Sequence, residues 1–391
     1  FSAGKPHGVR LVIDSLRWWT QVIGVDGFRF DLAPALNRTG NMIDSALFAA
    51  ITADPVLRQM KLIAEPWDIS RYSLGEFQYP WREWNDYYRD AVRQFWLGDI
   101  ARGYGEGVSA LASSISGSSN IFYFRGPTSS INFVTAHDGF TLNDLVSYQE
   151  KRNEVNGEEN RDGNNTNRSW NVGVEGPTDD PKILQIRQSL QKSLMATLLL
   201  SSGVPMITMG DEVGRTQFGS NNAFTLPIDL NNENWNGVSA WNGGWTLDWE
   251  PNEANQDLQN AFIELIRIRQ TYLSDITSDF FTGRMDVGTE RKDIAWFSLS
   301  GNEMTDEHWS DGDKRSLTVF FEAGPKNGLV LLMNSFGEET TFTLPSESWG
   351  EGFRCIFDSF ERTDTYNPVL SKPGEKVEVS PHSLQVWLVN R

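Results

Sequence analysis

The chain has 391 residues but only one cysteine, far fewer cations than anions, and no long apolar run. A lone Cys355 excludes an internal disulfide, yet leaves both reducing and oxidising compartments open, since many exported enzymes lack disulfides. Against 52 Asp and Glu stand only 34 Lys and Arg, a formal net charge of −18. Nucleic acid and anionic membrane surfaces would repel such a chain, so a neutral substrate fits better. The longest apolar run, "LMATLLL" at 194–200, falls well short of the ~18 residues of a membrane span and reads as a buried helix segment. The chain opens at Phe1 without an initiator Met or a signal-like segment, which raises the expectation of residues upstream. What is present excludes disorder: 39% hydrophobic residues, with 15 Trp and 23 Phe, in a length that suits one large domain plus a smaller one.

Four short apolar runs are separated by helical patterns. The segment "GVRLVIDSLRWWTQVI" (8–23) has helical spacing and leads into "GVDGFRFDLA" (24–33). Then come "KLIAEP" (61–66), "INFVTAHD" (131–138) after a Gly/Ser-rich connector, and "PMITMGDE" (205–212) after a long helical pattern at 183–203. Continuous apolar runs ended by acids, alternating with helices, predict βα units around a parallel sheet buried on both faces. Beyond the helical pattern at 255–273 the texture changes to short alternating segments such as "SLTVFFE", "LVLLMN" and "LQVWLV", which predict an all-β sandwich. The expected domains are 1–284 and 285–391. The long polar loop at 156–181 is of a kind more often functional than incidental.

In "GVDGFRFDLA" side chains alternate faces, so Phe28 and Phe30 point one way and Arg29 and Asp31 the other. Burying charge is costly unless it is paired, so Arg29 and Asp31 form either a structural ion pair or part of a polar pocket. Asp31, Glu65 and Asp138 each lie at or just past the C-terminal end of an apolar run. In a parallel barrel all such ends face one side, so a single pocket collects the three. Carboxylates without an obvious metal cluster suggest glycoside chemistry, in which one attacks the anomeric carbon and a protonated second one protonates the leaving oxygen. Trp81, Trp84, Trp96, Trp235, Trp241, Trp245 and Trp249 are open to either reading, sugar stacking or packing.

"GVDGFRFDLA", "LIAEPWD" and "NFVTAHDGFTLNDLVSY" resemble three of the four signature regions of the α-amylase superfamily of glycoside hydrolases. "EWNDYYRDAVRQFW", "NEVNGEENRDGNN", "GDEVGRTQFGSNNAF" and "MTDEHW" narrow this to a resemblance to bacterial glycogen debranching enzymes of the isoamylase type. The resemblance implies that Asp31 is the nucleophile, Glu65 the general acid/base, and Asp138 the carboxylate that orients sugar hydroxyls and stabilises the transition state. It implies that Arg29 keeps the nucleophile ionised and that His137 donates hydrogen bonds to the reacting sugar. Trp67 and Asn222 are further substrate-binding positions it implies. The reaction implied is retaining hydrolysis of α-1,6 branch linkages in glycogen, limit dextrin or amylopectin, without metal or cofactor, in a bacterial cytoplasm or a plastid.

Two departures from the pattern shape the expectations. The family's first signature region and first three barrel strands do not occur upstream of residue 24, so the expected fold is a partial (β/α)8 TIM barrel, strands four to eight, followed by the C-terminal sandwich. A missing N-terminal segment or a second polypeptide would complete it. The second departure is an Asn- and Trp-rich stretch at 221–250 that lacks the usual Cys, at a face where loops set specificity. It leaves open an α-1,4-acting amylase or transferase on the same scaffold. The incomplete barrel leaves open a non-catalytic glucan-binding subunit.

Overall fold

The computed structural model describes residues 2–37, 45–154, 158–223, 253–273, 279–285, 290–324 and 327–390. A parallel sheet comes first, with strands β1 (Gly27–Phe30), β2 (Lys61–Ala64), β3 (Arg82–Asn85), β4 (Ser130–Phe133) and β5 (Val204–Met206) in sequential order. Each is only three or four residues long, shorter than the apolar runs suggest, and the acids lie in the loops just beyond. β1 runs close beside β2 because Gly27 lacks a side chain. A Cβ there would come within 2.4 Å of the Lys61 carbonyl oxygen.

β3 was not legible as a strand, because two of its four residues are polar and fully buried. Glu83 pairs with Arg125 and accepts the Gly75 N–H at 2.6 Å. Asn85 donates to Ser118 and Ser130 at 3.0 and 2.9 Å, while its oxygen caps the helix Asp86–Arg93 through the Tyr88 N–H. Buried polar groups satisfied in this way escape any apolar pattern.

The helix Pro6–Trp18 opens with proline at its first position and packs Val9, Val12, Ile13 and Leu16 beside Phe28 and Phe30. Its other side carries Leu11 and Trp18 exposed, and Trp19, Val22 and Ile23 continue that apolar stripe through a final wide turn. The sheet's two outermost strands, β1 and β5, are half-buried throughout, whereas β4 is fully buried.

The C-terminal region forms a six-stranded sheet and a two-stranded ribbon. The strands are β6 (Ile294–Phe297), β7 (Ser316–Glu322), β8 (Asn327–Asn334), β9 (Thr340–Thr343), β10 (Gly352–Asp358), β11 (Val369–Ser371), β12 (Lys376–Val379) and β13 (Ser383–Asn390). The order is β11-β10-β13-β8-β7-β6, all antiparallel, with β12 and β9 paired apart. Alternation along β8 shows how it is buried on both faces. Val330 and Leu332 join the core that holds Phe342 and Val379 of the ribbon, while Leu329, Leu331 and Met333 belong to the larger core that also takes in Leu190, Leu194 and Leu198 of the helix Pro181–Leu199. β10 and β11 were not anticipated; a register shift between Cys355 and Phe357 breaks the two-residue period in β10. Burial pushes the Cys355 thiol up to about 12. A buried pair, Lys192 with Asp257 at 2.6 Å, joins that helix to the helix Glu253–Tyr272, and Lys192 also donates to the Glu361 carbonyl at 2.8 Å. Among the described residues no helix is long and apolar enough to cross a membrane.

Candidate active site

Adjacent parallel strands bring Asp31 and Glu65 side by side. Phe30 pairs with Ala64, and the next residue on each strand is the acid. Arg29 lies between them, its Nη1 2.7 Å from Asp31 Oδ1 and its Nη2 3.0 Å from Glu65 Oε2. The chain turns sharply after Asp31, with Leu32 at φ +42°, a conformation that non-glycine residues seldom adopt. That turn aims the Leu32 N–H at Glu65 Oε2, 2.7 Å away, and the Ala33 N–H at the Glu65 carbonyl, 3.0 Å away. The Asp31 side chain is 71% exposed and that of Glu65 only 5%, so the pair divides into one accessible and one sheltered carboxylate. Burial raises the Glu65 pKa against the pull of the Leu32 N–H and Arg29, and the Asp31 carboxyl, within hydrogen-bonding reach, raises it further.

The alternation predicted for β1 holds. Phe28 and Phe30 turn to the helical layer, where Phe30 meets Trp81 edge-on at 4.9 Å, and Arg29 turns the other way. Its guanidinium covers the Trp84 ring, 4.3 Å from the centroid, and Trp84 in turn meets the His137 ring at 5.9 Å. His137 Nδ1 is 3.6 Å from Asp138 Oδ1, and both side chains are about half-exposed in the turn after β4. The ion pair is therefore both structural and set against Trp84, a wall of the neighbouring cleft, although Arg29 and Asp31 do not themselves line that cleft.

Beside this cluster opens a cleft of about 390 Å³ whose walls include Trp67, Trp84, Asp138 and Asn222. Asp162, Gly163 and Asn164 of the long polar loop form another wall, so part of that loop does reach the site. The ammonium of Lys151 holds the loop by donating to the carbonyls of Arg161, Asp162 and Gly163 at 3.2, 2.7 and 3.1 Å. Asn221 bonds Asn153 and Asn164, and Asn222 reaches Asp162. Asp86 and Arg89, also in the cleft wall, carried no signal in the sequence beyond their place in the "EWNDYYRD" stretch. Of the tryptophans in question, Trp84 lines the cleft, Trp81 is core, and Trp96 is core with its indole N–H on Thr197 at 3.0 Å. Trp235, Trp241, Trp245 and Trp249 lie outside the described residues, as does the unusual 221–250 stretch beyond residue 223. Among the described residues no group of three or more His, Cys, Asp and Glu is placed to hold a metal ion.

Several buried carboxyls around the site are pushed upward, chiefly by burial: Glu83 to about 7, Asp144 and Asp211 to about 6. A carboxyl whose pKa is higher folded than unfolded binds more protons in the folded state, so stability falls as pH rises between the two values. Burial holds His382 down at about 4, which acts in the opposite direction, but it is one group against three. The melting temperature is expected to rise as pH is lowered from about 7 to about 5.5. Calorimetry across that range checks it, and a melting temperature that falls on acidification would contradict it.

Residues 293–390 match the family model of the isoamylase C-terminal domain. The glycogen operon protein GlgX homolog of Mycobacterium tuberculosis is 42% identical over 377 residues, covering 92% of this chain and 50% of that protein. The glycogen debranching enzyme of Yersinia pestis is 40% identical over 369 residues, covering 92% of this chain and 51% of its own length. The chain thus spans about half the length of the curated relatives it matches. In fold it is similar to the pullulanase of Bacillus acidopullulyticus, with a TM-score of 0.65 at 18% identity over 99% of this chain and 41% of that one. A maltose complex of type I pullulanase from Bacillus subtilis gives 0.62 at 19% identity over 98% and 46%. The signature acids at adjoining strand ends, the matching C-terminal domain and these relatives agree: the chain is similar, along nearly its whole length, to about half of an isoamylase-like glycogen debranching enzyme of the α-amylase superfamily of glycoside hydrolases.

Proposed function

We propose that this chain carries the catalytic carboxylates of a retaining hydrolase that cleaves α-1,6 branch linkages in glycogen or related glucans. The observation that carries the reading is Arg29 bridging an exposed Asp31 and a sheltered Glu65. Two carboxyls this close leave no gap for a water on the far face of the sugar ring, which suits a retaining rather than an inverting mechanism. Asp31 attacks the anomeric carbon and the bond to the leaving O6 breaks, with Glu65 supplying the proton that O6 takes up. Glu65, now ionised, then takes a proton from the water that releases the sugar from Asp31. Asp138 and His137 hold hydroxyls of the reacting sugar, and the Trp67 ring offers apolar surface to its carbon face. Linkage is read by iodine staining of digested amylopectin. Debranching frees linear chains and deepens the colour; bleaching would instead mean α-1,4 cleavage and overturn the assignment.

The five parallel strands are read as strands four to eight of an eight-stranded barrel, with residues 1–284 as the barrel portion and 285–391 as the sandwich domain. Half-buried β1 and β5 at the sheet's two edges, and the exposed stripe Leu11, Trp18 and Val22, support a fold closed by further chain, from an upstream segment or a second polypeptide. A cytoplasmic place beside glycogen fits the bacterial relatives. These 391 residues expressed alone are expected to hydrolyse amylopectin at less than about a hundredth of the rate of the completed protein, since misplacement by an ångström can cost that much. A cooperative melt with full activity from these residues alone would contradict the reading.

A further inference from the structure

The "GDEVGRTQFGSNN" stretch after β5 brings Asn221 and Asn222 to the cleft wall. Its Asp211 is fully buried and points back across the sheet's end to the segment after β4. Asp211 Oδ2 accepts the Thr135 hydroxyl, and Oδ1 accepts the Leu142 N–H at 3.0 Å. Thr135 and Leu142 stand at the two ends of the turn that carries His137 and Asp138, so one carboxylate holds both ends. The exchange is reciprocal. Asp144, also fully buried, accepts the Thr216 hydroxyl and, at 2.7 Å, the Gln217 N–H from the segment after β5. Among the described residues neither aspartate forms an ion pair with Arg, Lys or His, and Arg215 favours the Asp211 charge only from beyond ion-pair distance. A carboxylate buried without a cation is costly, and a plain apolar contact would join two loops with less penalty. What the carboxylate provides instead is directed hydrogen bonds at two fixed points.

His137 and Asp138 are about half-exposed, and their side chains have few partners of their own to fix them. Their orientation therefore depends on where the turn's ends are held. We propose that Asp211 is a positioning residue for the hydrolysis: by holding Thr135 and Leu142 it sets His137 and Asp138 against the cleft, while Asp144 fixes the same turn relative to Asn221 and Asn222. This rests on the reading of the site given above, so the test has an arm that does not require turnover.

In the completed protein, Asp211→Ala is expected to lower kcat on amylopectin by about 30- to 100-fold, with KM changed less than about threefold. Asp211→Asn keeps an acceptor for Leu142 and can exchange a hydrogen bond with Thr135, and is expected to restore kcat to within about fivefold of the parent. The chain has four histidines, so imidazole NMR signals can be assigned by single substitutions. In Asp211→Ala the His137 signal is expected to shift or broaden while those of His7 and His308 stay in place. Should Asp211→Ala fail to fold, Thr135→Val releases one end of the turn and is expected to move the same signal and lower kcat to a lesser degree. Unchanged kcat with an unmoved His137 signal in either folded variant would overturn the proposal. If the parent protein itself shows no turnover, the hydrolase reading fails, and the His137 signal alone decides whether Asp211 sets the turn.

Discussion

Replacing Asp31 by Asn in the completed protein is expected to lower kcat on a branched α-glucan by ~10³-fold or more, while glucan binding changes only a few-fold. Asn has the shape of Asp and still offers Arg29 an oxygen, so the contact now 2.7 Å long can persist without the negative charge. The cleft walls formed by Trp67, Trp84 and Asp138 are untouched. What is lost is the proposed nucleophile, and with it the covalent intermediate that would divide the reaction into two easier steps. Steady-state rates and binding isotherms measured on the same preparations separate the two effects. A further check uses Asp31→Ala with added azide. The anion can enter the space the carboxylate leaves and attack the anomeric carbon while Glu65 still protonates O6, giving a β-glucosyl azide. Turnover of Asp31→Asn near the parent rate would refute the nucleophile assignment.

Glu65→Gln is expected to cost ~10²- to 10⁴-fold on the same glucan, because the poor O6 leaving group then departs without a proton. The loss should shrink with a glucosyl fluoride, whose leaving group needs no such help. In that case the second step becomes limiting, since the base that activates water is gone, and a glucosyl adduct on Asp31 should accumulate and be seen by mass spectrometry. The pH profile gives an independent check. Glu65 acts as an acid only while protonated, and burial raises its pKa above that of an ordinary glutamic acid. The protonated fraction therefore persists to higher pH, and the alkaline fall in kcat/KM should lie above the ordinary glutamate range. Glu65→Gln should remove that fall when the fluoride is the substrate. An unchanged alkaline fall would assign it to another group.

How much of this was legible in the sequence depended on whether a residue's role was local. The place of Asp31, Glu65 and Asp138 followed from apolar runs that end in acids, because a parallel sheet puts every such end on one side. The two faces of β1 followed from simple alternation, and the structure finds Phe30 on Trp81 and Arg29 on Trp84. β3 failed the same test, since Glu83 and Asn85 are buried through partners 33 to 45 positions away, in Arg125, Ser118 and Ser130. Asp211 and Asp144 were invisible for the same reason; each bonds to residues about 70 positions distant. Composition could count the tryptophans but not sort them. Both Trp96 and Trp84 are buried, and only their place in the fold separates Trp96 in the core from Trp84 in the cleft wall.

The central claim is that Asp31 and Glu65 open an α-1,6 branch linkage with retention. Proton NMR of amylopectin in the first minutes of digestion by the completed protein tests it directly, by following the anomeric signals of the newly freed reducing ends. The account predicts loss of the α-1,6 signal with the α-anomer appearing first and the β-anomer growing in later by mutarotation. The β-anomer appearing first, or α-1,4 signals lost while the α-1,6 signal stays constant, would contradict it.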